Sequence, residues 1–197
     1  VGTRLYGLAA QAVPGARHLK RVGAEMGGKN AIVVDDDADL DEAVQGTVAS
    51  AFGYSGQKCS ACSRVIGVGR VYDRLLARLV EAVRTLPMGA ADQPATVVGP
   101  LIDQAAQRKV QRYIAAGRSG ARPALIRDVP ADLESLGGYF VPPAIFADVP
   151  PASPLAQEEI FGPVLSVMPA KDFEAALALA MDSDYALTGG VFSRSPT

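Results

Sequence analysis

Residues 30–68 read NAIVVDDDADLDEAVQGTVASAFGYSGQKCSACSRVIGV, and their pattern decides the fold. Residues 30–34 are almost continuously apolar, which is typical of a strand buried on both faces. Apolar residues recur at helical spacing over residues 39–54, where Asp39 can cap the helix. Residues 63–68 are a second apolar run. A strand, a helix and a strand in this order predict the α/β class.

The same alternation continues along the rest of the chain. We predict further helices and strands, the helices over residues 3–12, 71–86, 103–117 and 172–182, the strands over residues 18–25, 123–126, 139–146, 164–167 and 187–192. A tight turn is expected at residues 26–29, and Pro142 and Pro143 predict an edge or a bend. The whole pattern favours a mainly parallel open sheet with flanking helices. No G-x-G-x-x-G follows any predicted strand, so a dinucleotide-binding fingerprint is not visible.

Composition argues against several classes of protein. The 197 residues are 49% hydrophobic and 20% charged, which is too apolar for intrinsic disorder. Nineteen basic and 21 acidic residues leave a formal charge of −2, so we expect no nucleic-acid partner. No apolar run approaches the roughly 20 residues of a membrane helix, so we expect no membrane partner either. No signal-peptide pattern opens the sequence, and we expect a cytoplasmic protein.

The two cysteines, Cys59 and Cys62, are spaced C-x-x-C, which raises metal and redox interpretations. A zinc site needs four ligands, and only His18 and carboxylates remain to supply the others, so we expect no metal. A redox dithiol normally opens a helix after a strand, whereas this pair follows a helical stretch. A papain-like hydrolase requires a histidine downstream of its cysteine. No histidine follows Cys59, which argues against that class of enzyme.

Cys59 is the first candidate for chemistry. Its neighbours are small and polar, which suits an accessible loop, and a cation at Lys58 would favour the nucleophilic thiolate. A buried structural cysteine is the alternative. Glu25 is the second candidate, because a carboxylate that ends a strand beside Gly27 and Gly28 can project into a cleft. It could act as a general base if partial burial raised its pKa, and otherwise it is a solvated turn residue.

Residues 158–163, EEIFGP, are the third candidate, since paired acids before an aromatic-Gly-Pro turn could contact ligand hydroxyls. The alternative is an exposed charge pair. Together with residues 25–30, EMGGKN, and residues 56–59, GQKC, this motif resembles the three signatures of the aldehyde dehydrogenase superfamily, in order. The 34-residue separation of Glu25 and Cys59 is also similar to that family. The likeness extends over essentially the whole chain and implies the fold of the family's catalytic domain.

Further stretches resemble the subgroup that oxidises L-glutamate γ-semialdehyde to L-glutamate in proline catabolism. They are residues 18–21, 50–61 and 185–191. The resemblance implies that Cys59 attacks the aldehyde to form a thiohemiacetal, that hydride passes to NAD+ and that a thioester remains. It implies that Glu25 activates the water that hydrolyses the thioester. The backbone N–H of Cys59 would be one oxyanion donor.

The resemblance assigns the remaining candidates to ligands. Glu159 is expected to bind the nicotinamide ribose, and Phe161 is expected to lie beside the nicotinamide. Ser60 is expected to contact the substrate carboxylate, and Lys58 to assist it electrostatically. The expected partners are thus a small aldehyde and NAD.

The resemblance also implies a domain division. Residues 1–27 are expected to be a remnant of the cofactor-binding domain, and residues 28–197 a catalytic domain truncated at its C-terminal end. We expect a homo-oligomer in the full-length protein and no turnover from residues 1–197 alone. Two other functions stay open: a cofactor-independent thiol hydrolase or acyltransferase that uses Cys59, and a non-catalytic domain that serves assembly.

Overall fold

The computed structural model describes residues 1–195 of the chain. Its strands are β1 (Asn30–Val34), β2 (Cys62–Val68), β3 (Arg122–Ile126), β4 (Ala144–Ala147), β5 (Val164–Ala170) and β6 (Gly189–Phe192). They form one sheet in the order β3-β4-β5-β2-β1-β6. β3 runs antiparallel to β4, and the other neighbouring strands are parallel. The mainly parallel sheet predicted from the sequence is therefore confirmed.

The helices connect these strands. They are α1 (Gly2–Ala9), α2 (Leu40–Phe52), α3 (Val71–Arg84), α4 (Gln104–Gly120), α5 (Ala131–Ser135), α6 (Pro154–Gln157) and α7 (Phe173–Met181), with a 3₁₀ turn at Gly53–Gly56. Asp39, Asp103 and Asp172 each accept a backbone N–H at the start of α2, α4 and α7. These caps satisfy donors that a helix start leaves unpaired, which fixes where the helices begin. The short α5 and α6 were not predicted, because one turn carries no periodic pattern. Within residues 1–195, none of the helices combines the length and apolar character that crossing a bilayer requires.

Two apolar clusters lie on the two faces of the sheet. Val33 of β1 belongs to one cluster, together with Val110 of α4 and Ala176 of α7. Val34 belongs to the other cluster, together with Leu75 of α3 and residues of α2. Because successive strand residues point to opposite faces, one apolar run supplies both cores. This explains why residues 30–34 show no polar alternation.

The predicted strand at residues 18–25 is wrong. Residues 10–29 form neither helix nor strand, and none of residues 1–27 is buried. A strand needs a neighbour to accept its backbone hydrogen bonds, and no neighbour lies there within residues 1–195. The tight turn predicted at residues 26–29 is wrong as well. Neither Gly27 nor Gly28 has a positive φ, and the chain enters β1 without a turn.

The proline prediction is wrong in part. β4 begins only after Pro142 and Pro143 and lies between β3 and β5, so it is not an edge strand. Both prolines precede the part of the strand that pairs with its neighbours. Their missing N–H groups therefore remove no hydrogen bond from the sheet. The edge strands are β3 and β6, and β3 contains Pro123 beside an irregularity in its pairing with β4.

Candidate active site

The three sequence motifs meet at one edge of the sheet. Residues 25–29 precede β1, residues 57–61 precede β2 and residues 158–163 precede β5. These strands are parallel neighbours in the order β5-β2-β1, so their amino ends lie side by side. A cleft of about 540 Å³ opens there, lined by Glu25, Met26, Gly27, Gln57, Lys58, Cys59, Ser60, Glu159 and Phe161. All six residues selected from the sequence therefore line one cleft.

A strained loop carries the chain from α2 to Cys59. Tyr54, Ser55 and Gly56 have φ values of 53°, 58° and 70°, in the left-handed region that side chains disfavour. Gly56 has a second constraint, because a Cβ there would lie 2.3 Å from the carbonyl oxygen of Gly162. The Ser55 hydroxyl donates to the carbonyl of Gly99 at 2.9 Å. Close packing thus holds a loop that would not adopt this shape by itself.

Cys59 occupies the second position of a turn. The N–H of Ala61 donates to the carbonyl of Lys58 at 3.1 Å, which closes residues 58–61. Within residues 1–195, no protein acceptor takes the N–H of Cys59. The side chain of Cys59 is half-buried and lines the cleft. The residue therefore presents both a thiol and a free backbone donor.

Cys62 has a different environment. It is 3% exposed, and its thiol donates to the carbonyl of Arg64 at 3.3 Å. Burial raises the pKa of the Cys62 thiol to about 12. Since a thiolate is the nucleophilic form, we expect Cys62 to be unreactive at neutral pH. The geometry separates the two cysteines of the C-x-x-C pattern into an accessible and a structural one.

Glu159 links two of the motifs. Its Oε1 accepts the N–H of Gly28 at 2.9 Å, across 131 positions of sequence. A Cβ at Gly27 would lie 2.6 Å from Oε2, so a larger residue there would displace the Glu159 carboxylate from this position. Phe161 stands on the same loop with a φ of 59° and is 39% exposed. An exposed ring beside an anchored carboxylate is an arrangement that can hold a planar base and a ribose hydroxyl.

Glu25, Ser60 and Lys58 are exposed residues on the cleft. The partial burial that the sequence analysis required of a general base at Glu25 is absent among residues 1–195. The Lys58 ammonium lies 4.6 Å from the centre of the Tyr54 ring, a cation–π contact. That contact directs the charge of Lys58 toward Tyr54 in this structure.

Two buried cations that the sequence analysis missed, Lys29 and Arg64, line a separate pocket. Lys29 is 2% exposed, and within residues 1–195 its ammonium has no hydrogen-bond partner. Burial, followed by the charge of Arg64, lowers the pKa of Lys29 to about 7. Arg64 is also 2% exposed and donates twice to the Lys29 carbonyl, at 2.7 and 3.1 Å. It further donates to the carbonyls of Leu179, Ala180 and Asp182 at the end of α7.

A further missed residue, Tyr113, supports the EEIFGP loop. The hydroxyl of Tyr113, on α4, donates to Glu158 Oε2 at 2.5 Å. Burial, together with that carboxylate, raises the pKa of Tyr113 to about 12. Among the residues described, no group of His, Cys, Asp and Glu side chains is arranged to hold a metal ion.

Comparison with known proteins identifies relatives of the whole chain. The model of the aldehyde dehydrogenase family matches residues 1–197. The 1-pyrroline-5-carboxylate dehydrogenase of Geobacillus kaustophilus (strain HTA426) is 51% identical over 195 residues, which are 99% of this chain and 37% of that protein.

Solved structures show the same similarity. A Thermus 1-pyrroline-5-carboxylate dehydrogenase with bound NAD superposes with a TM-score of 0.87 at 42% identity, covering 99% of this chain and 37% of that one. Proline utilization A from Bdellovibrio bacteriovorus gives a TM-score of 0.90 at 49% identity, covering 99% and 20%. The chain thus spans about 37% of the length of the curated relatives it matches.

Proposed function

This chain belongs to the aldehyde dehydrogenase family, and on that premise we propose that it carries the covalent chemistry of an NAD+-dependent aldehyde oxidation at Cys59. The observation that carries the proposal is that a half-buried thiol at Cys59, a carboxylate at Glu25 and an anchored carboxylate at Glu159 line one cleft. None of the three would be sufficient alone.

The first half of the reaction forms a bond to sulfur. The Cys59 thiolate attacks the aldehyde carbon, and the carbonyl π electrons move to oxygen, which gives a thiohemiacetal. The attack leaves a negative charge on the former carbonyl oxygen. The unpaired backbone N–H of Cys59, which belongs to the same residue as the thiolate, can donate a hydrogen bond to that oxygen. Glu159 and Phe161 would hold NAD+, which would supply the acceptor for the hydride that leaves the carbon, so that a thioester on Cys59 would remain. The anchored Glu159 and exposed Phe161 fit the nicotinamide ribose and ring respectively.

The second half releases the acid. Glu25 accepts a proton from a water molecule as that water attacks the thioester carbonyl, and the carbon–sulfur bond then breaks to restore the thiolate. Exposure of Glu25 suits this step, because a carboxylate on the rim of a cleft can exchange its proton with solvent. Ser60 and Lys58 lie on the same rim, where they can contact a carboxylate at the far end of the substrate.

We propose L-glutamate γ-semialdehyde as the substrate and L-glutamate as the product. Relatives named 1-pyrroline-5-carboxylate dehydrogenase, 51% identical over 99% of the chain, support this choice. We also propose that residues 1–27 belong to the cofactor-binding domain and residues 28–197 to the catalytic domain. In support, no residue before Gly28 is buried in the core that the later residues form.

The matched cysteines test the chemistry. In the full-length protein, Cys59→Ala is expected to lower NADH formation from glutamate semialdehyde by about 10³-fold or more, because it removes the group that forms the covalent adduct. Cys62→Ala is the control, because it removes a thiol that is buried and protonated. It is expected to lower stability but to keep the NADH burst.

Two outcomes would contradict the proposal. Equal losses in the two cysteine variants at equal folded fraction would remove Cys59 from its role. Thioester hydrolysis that depends on Cys59 but runs without NAD+, together with no NADH formation from any aldehyde, would instead establish a thiol hydrolase.

A further inference from the structure

Asn30, the first residue of β1, lies directly behind the nucleophile. Its Nδ2 donates to the carbonyl of Cys59 at 2.7 Å and to the carbonyl of Ala61 at 2.8 Å. Its Oδ1 accepts the N–H of Thr188 at 3.3 Å. The residue is 4% exposed, so water does not compete for these bonds. Both protons and the oxygen of one carboxamide are therefore used.

These bonds act on the turn that presents Cys59. Residues 58–61 are closed by the bond from Ala61 N–H to the Lys58 carbonyl, and Asn30 holds two further carbonyls of the same four residues. A turn of four residues has few free torsions once three of its carbonyls are bound. The direction of the Cys59 side chain and of its N–H then follows from where β1 lies.

The backbone at Gly28 packs closely against this turn. A Cβ on Gly28 would lie 2.2 Å from the Cys59 carbonyl oxygen and 2.9 Å from both polar atoms of the Asn30 side chain. The backbone at residue 28 thus touches the same carbonyl that Asn30 binds. The turn of residues 58–61, which carries Cys59, thus packs against Gly28 and Asn30 at the start of β1.

We propose that Asn30 is a positioning residue for Cys59: its carboxamide fixes the turn of residues 58–61 so that thiol and N–H face the aldehyde together. The proposal rests on the proposed function of Cys59. It concerns formation of the thiohemiacetal and not cofactor binding, because the carboxylate of Glu159 is held by Gly28 and not by Asn30. Asn30 touches no reacting atom and acts through the turn alone.

Asn30→Asp tests the proposal in the full-length protein. The aspartate has the same shape, yet in either protonation state it offers at most one proton to the two carbonyls. The rate constant of the NADH burst is expected to fall between about 10-fold and 10²-fold, the loss associated with a misplaced reacting group. The KM for NAD+ is expected to stay within about twofold of the wild-type value.

Tyr72→Phe is the matched control. It removes a buried hydroxyl that binds Asp148 at the opposite edge of the sheet, so it costs buried hydrogen bonds without touching the turn. It is expected to lower the melting temperature and to leave the burst rate constant unchanged. If Asn30→Asp does not fold, Asn30→Ser takes its place, because a hydroxyl also offers one proton and carries no charge.

The outcomes separate this proposal from the function on which it rests. A burst rate constant within about twofold of wild type in the folded Asn30 variant, with the burst still dependent on Cys59, would overturn the role of Asn30 alone. Equal rises in the KM for NAD+ and falls in the burst rate would also overturn it, since they indicate general loosening. Absence of a burst in the wild-type protein would count against the proposed function. In that case the rate of Cys59 alkylation by iodoacetamide, expected to change at least about fivefold in Asn30→Asp and not in Tyr72→Phe, still decides whether Asn30 positions the thiol.

Discussion

The amino ends and the carboxyl ends of the parallel strands lie on opposite sides of the sheet, here called the amino edge and the carboxyl edge. The contacts at these two edges differ in kind. The carboxyl ends of the strands carry ion pairs on the surface, among them Arg70–Asp36, Arg122–Asp148 and Arg194–Asp39. The amino ends carry buried or half-buried bonds from side chains to backbone, such as those of Asn30 and Arg64. Exposed ion pairs contribute about 0–1 kcal/mol each, whereas an unpaired buried donor or acceptor costs about 1–3 kcal/mol.

The difference shows where this fold has fixed geometry. At the amino edge each partner is a particular backbone atom, and glycines let chains approach more closely than a side chain permits. In the ion pairs of the carboxyl edge both partners are exposed or half-exposed side chains, arginine with aspartate, and water can replace either partner. We therefore expect substitutions at the amino edge to change the chemistry, and those at the carboxyl edge to change stability without changing the chemistry.

Glu25→Gln gives the largest expected contrast between the edges. An amide cannot accept the proton of the attacking water, so hydrolysis of the thioester is expected to slow by about 10²–10⁴. Rapid-quench measurements should show a normal NADH burst followed by slow turnover. Glu174→Gln, an exposed acid in the first turn of α7, is the control at the other edge and should leave both phases unchanged. Equal losses of burst and turnover in Glu25→Gln would contradict its role in hydrolysis.

Lys29 gives an intermediate effect that depends on pH. Its pKa is lowered from 10.5 to about 7 in the folded protein, so between these values the unfolded chain binds a proton that the folded chain does not. The free energy of unfolding should therefore rise with pH from about 7 to 10.5, with a slope of at most about 1.4 kcal/mol per pH unit from this group.

Urea unfolding of wild type and Lys29→Met at pH 7 and pH 9 isolates that contribution. The wild type is expected to gain more stability between the two values than the variant. Equal gains would show that Lys29 is protonated in the folded protein, and hence that its ammonium has a partner.

Asp172→Ala is expected to have the smallest effect. It removes the cap that accepts the N–H of Ala175 at 2.8 Å, beyond the carboxyl end of β5. The loss should be about 1 kcal/mol of stability, as for other helix caps, with the burst rate constant unchanged. Chemical denaturation and burst kinetics on the same preparation check both halves of this expectation. A slower burst would show that the two edges are coupled more tightly than their contacts indicate.

Local patterns were enough to predict most of the elements. The apolar run at residues 30–34 and the cap at Asp39 were predicted, and the structure uses both as expected. Asp103 and Asp172, at which two further helices were predicted to begin, cap α4 and α7 in the structure. The strand predicted at residues 18–25 failed because a strand is defined by its neighbour, and sequence patterning does not show that none pairs with this segment.

The site could be predicted in part for a related reason. The motifs around Glu25, Cys59 and Glu159 each precede a strand, and three parallel strands that lie side by side bring them together. The supporting residues were missed because their role depends on distant backbone atoms. Arg64 appears in sequence as an ordinary charged residue in a strand, yet it is almost completely buried, and its partners lie 35 to 118 positions away.

Arg64 also connects the end of α7 to the segment that precedes β1, through hydrogen bonds to both. The Arg64 guanidinium donates both to carbonyls in the last turn of α7 and to the carbonyl of Lys29. Gly28, the residue before Lys29, donates its N–H to Glu159. Fraying at that helix end would withdraw acceptors from the guanidinium and slacken the peptide at Lys29. We therefore expect opening of the C-terminal end of α7 and loss of order around Glu159 to occur together, although no hydrogen bond among residues 1–195 joins α7 directly to Glu159.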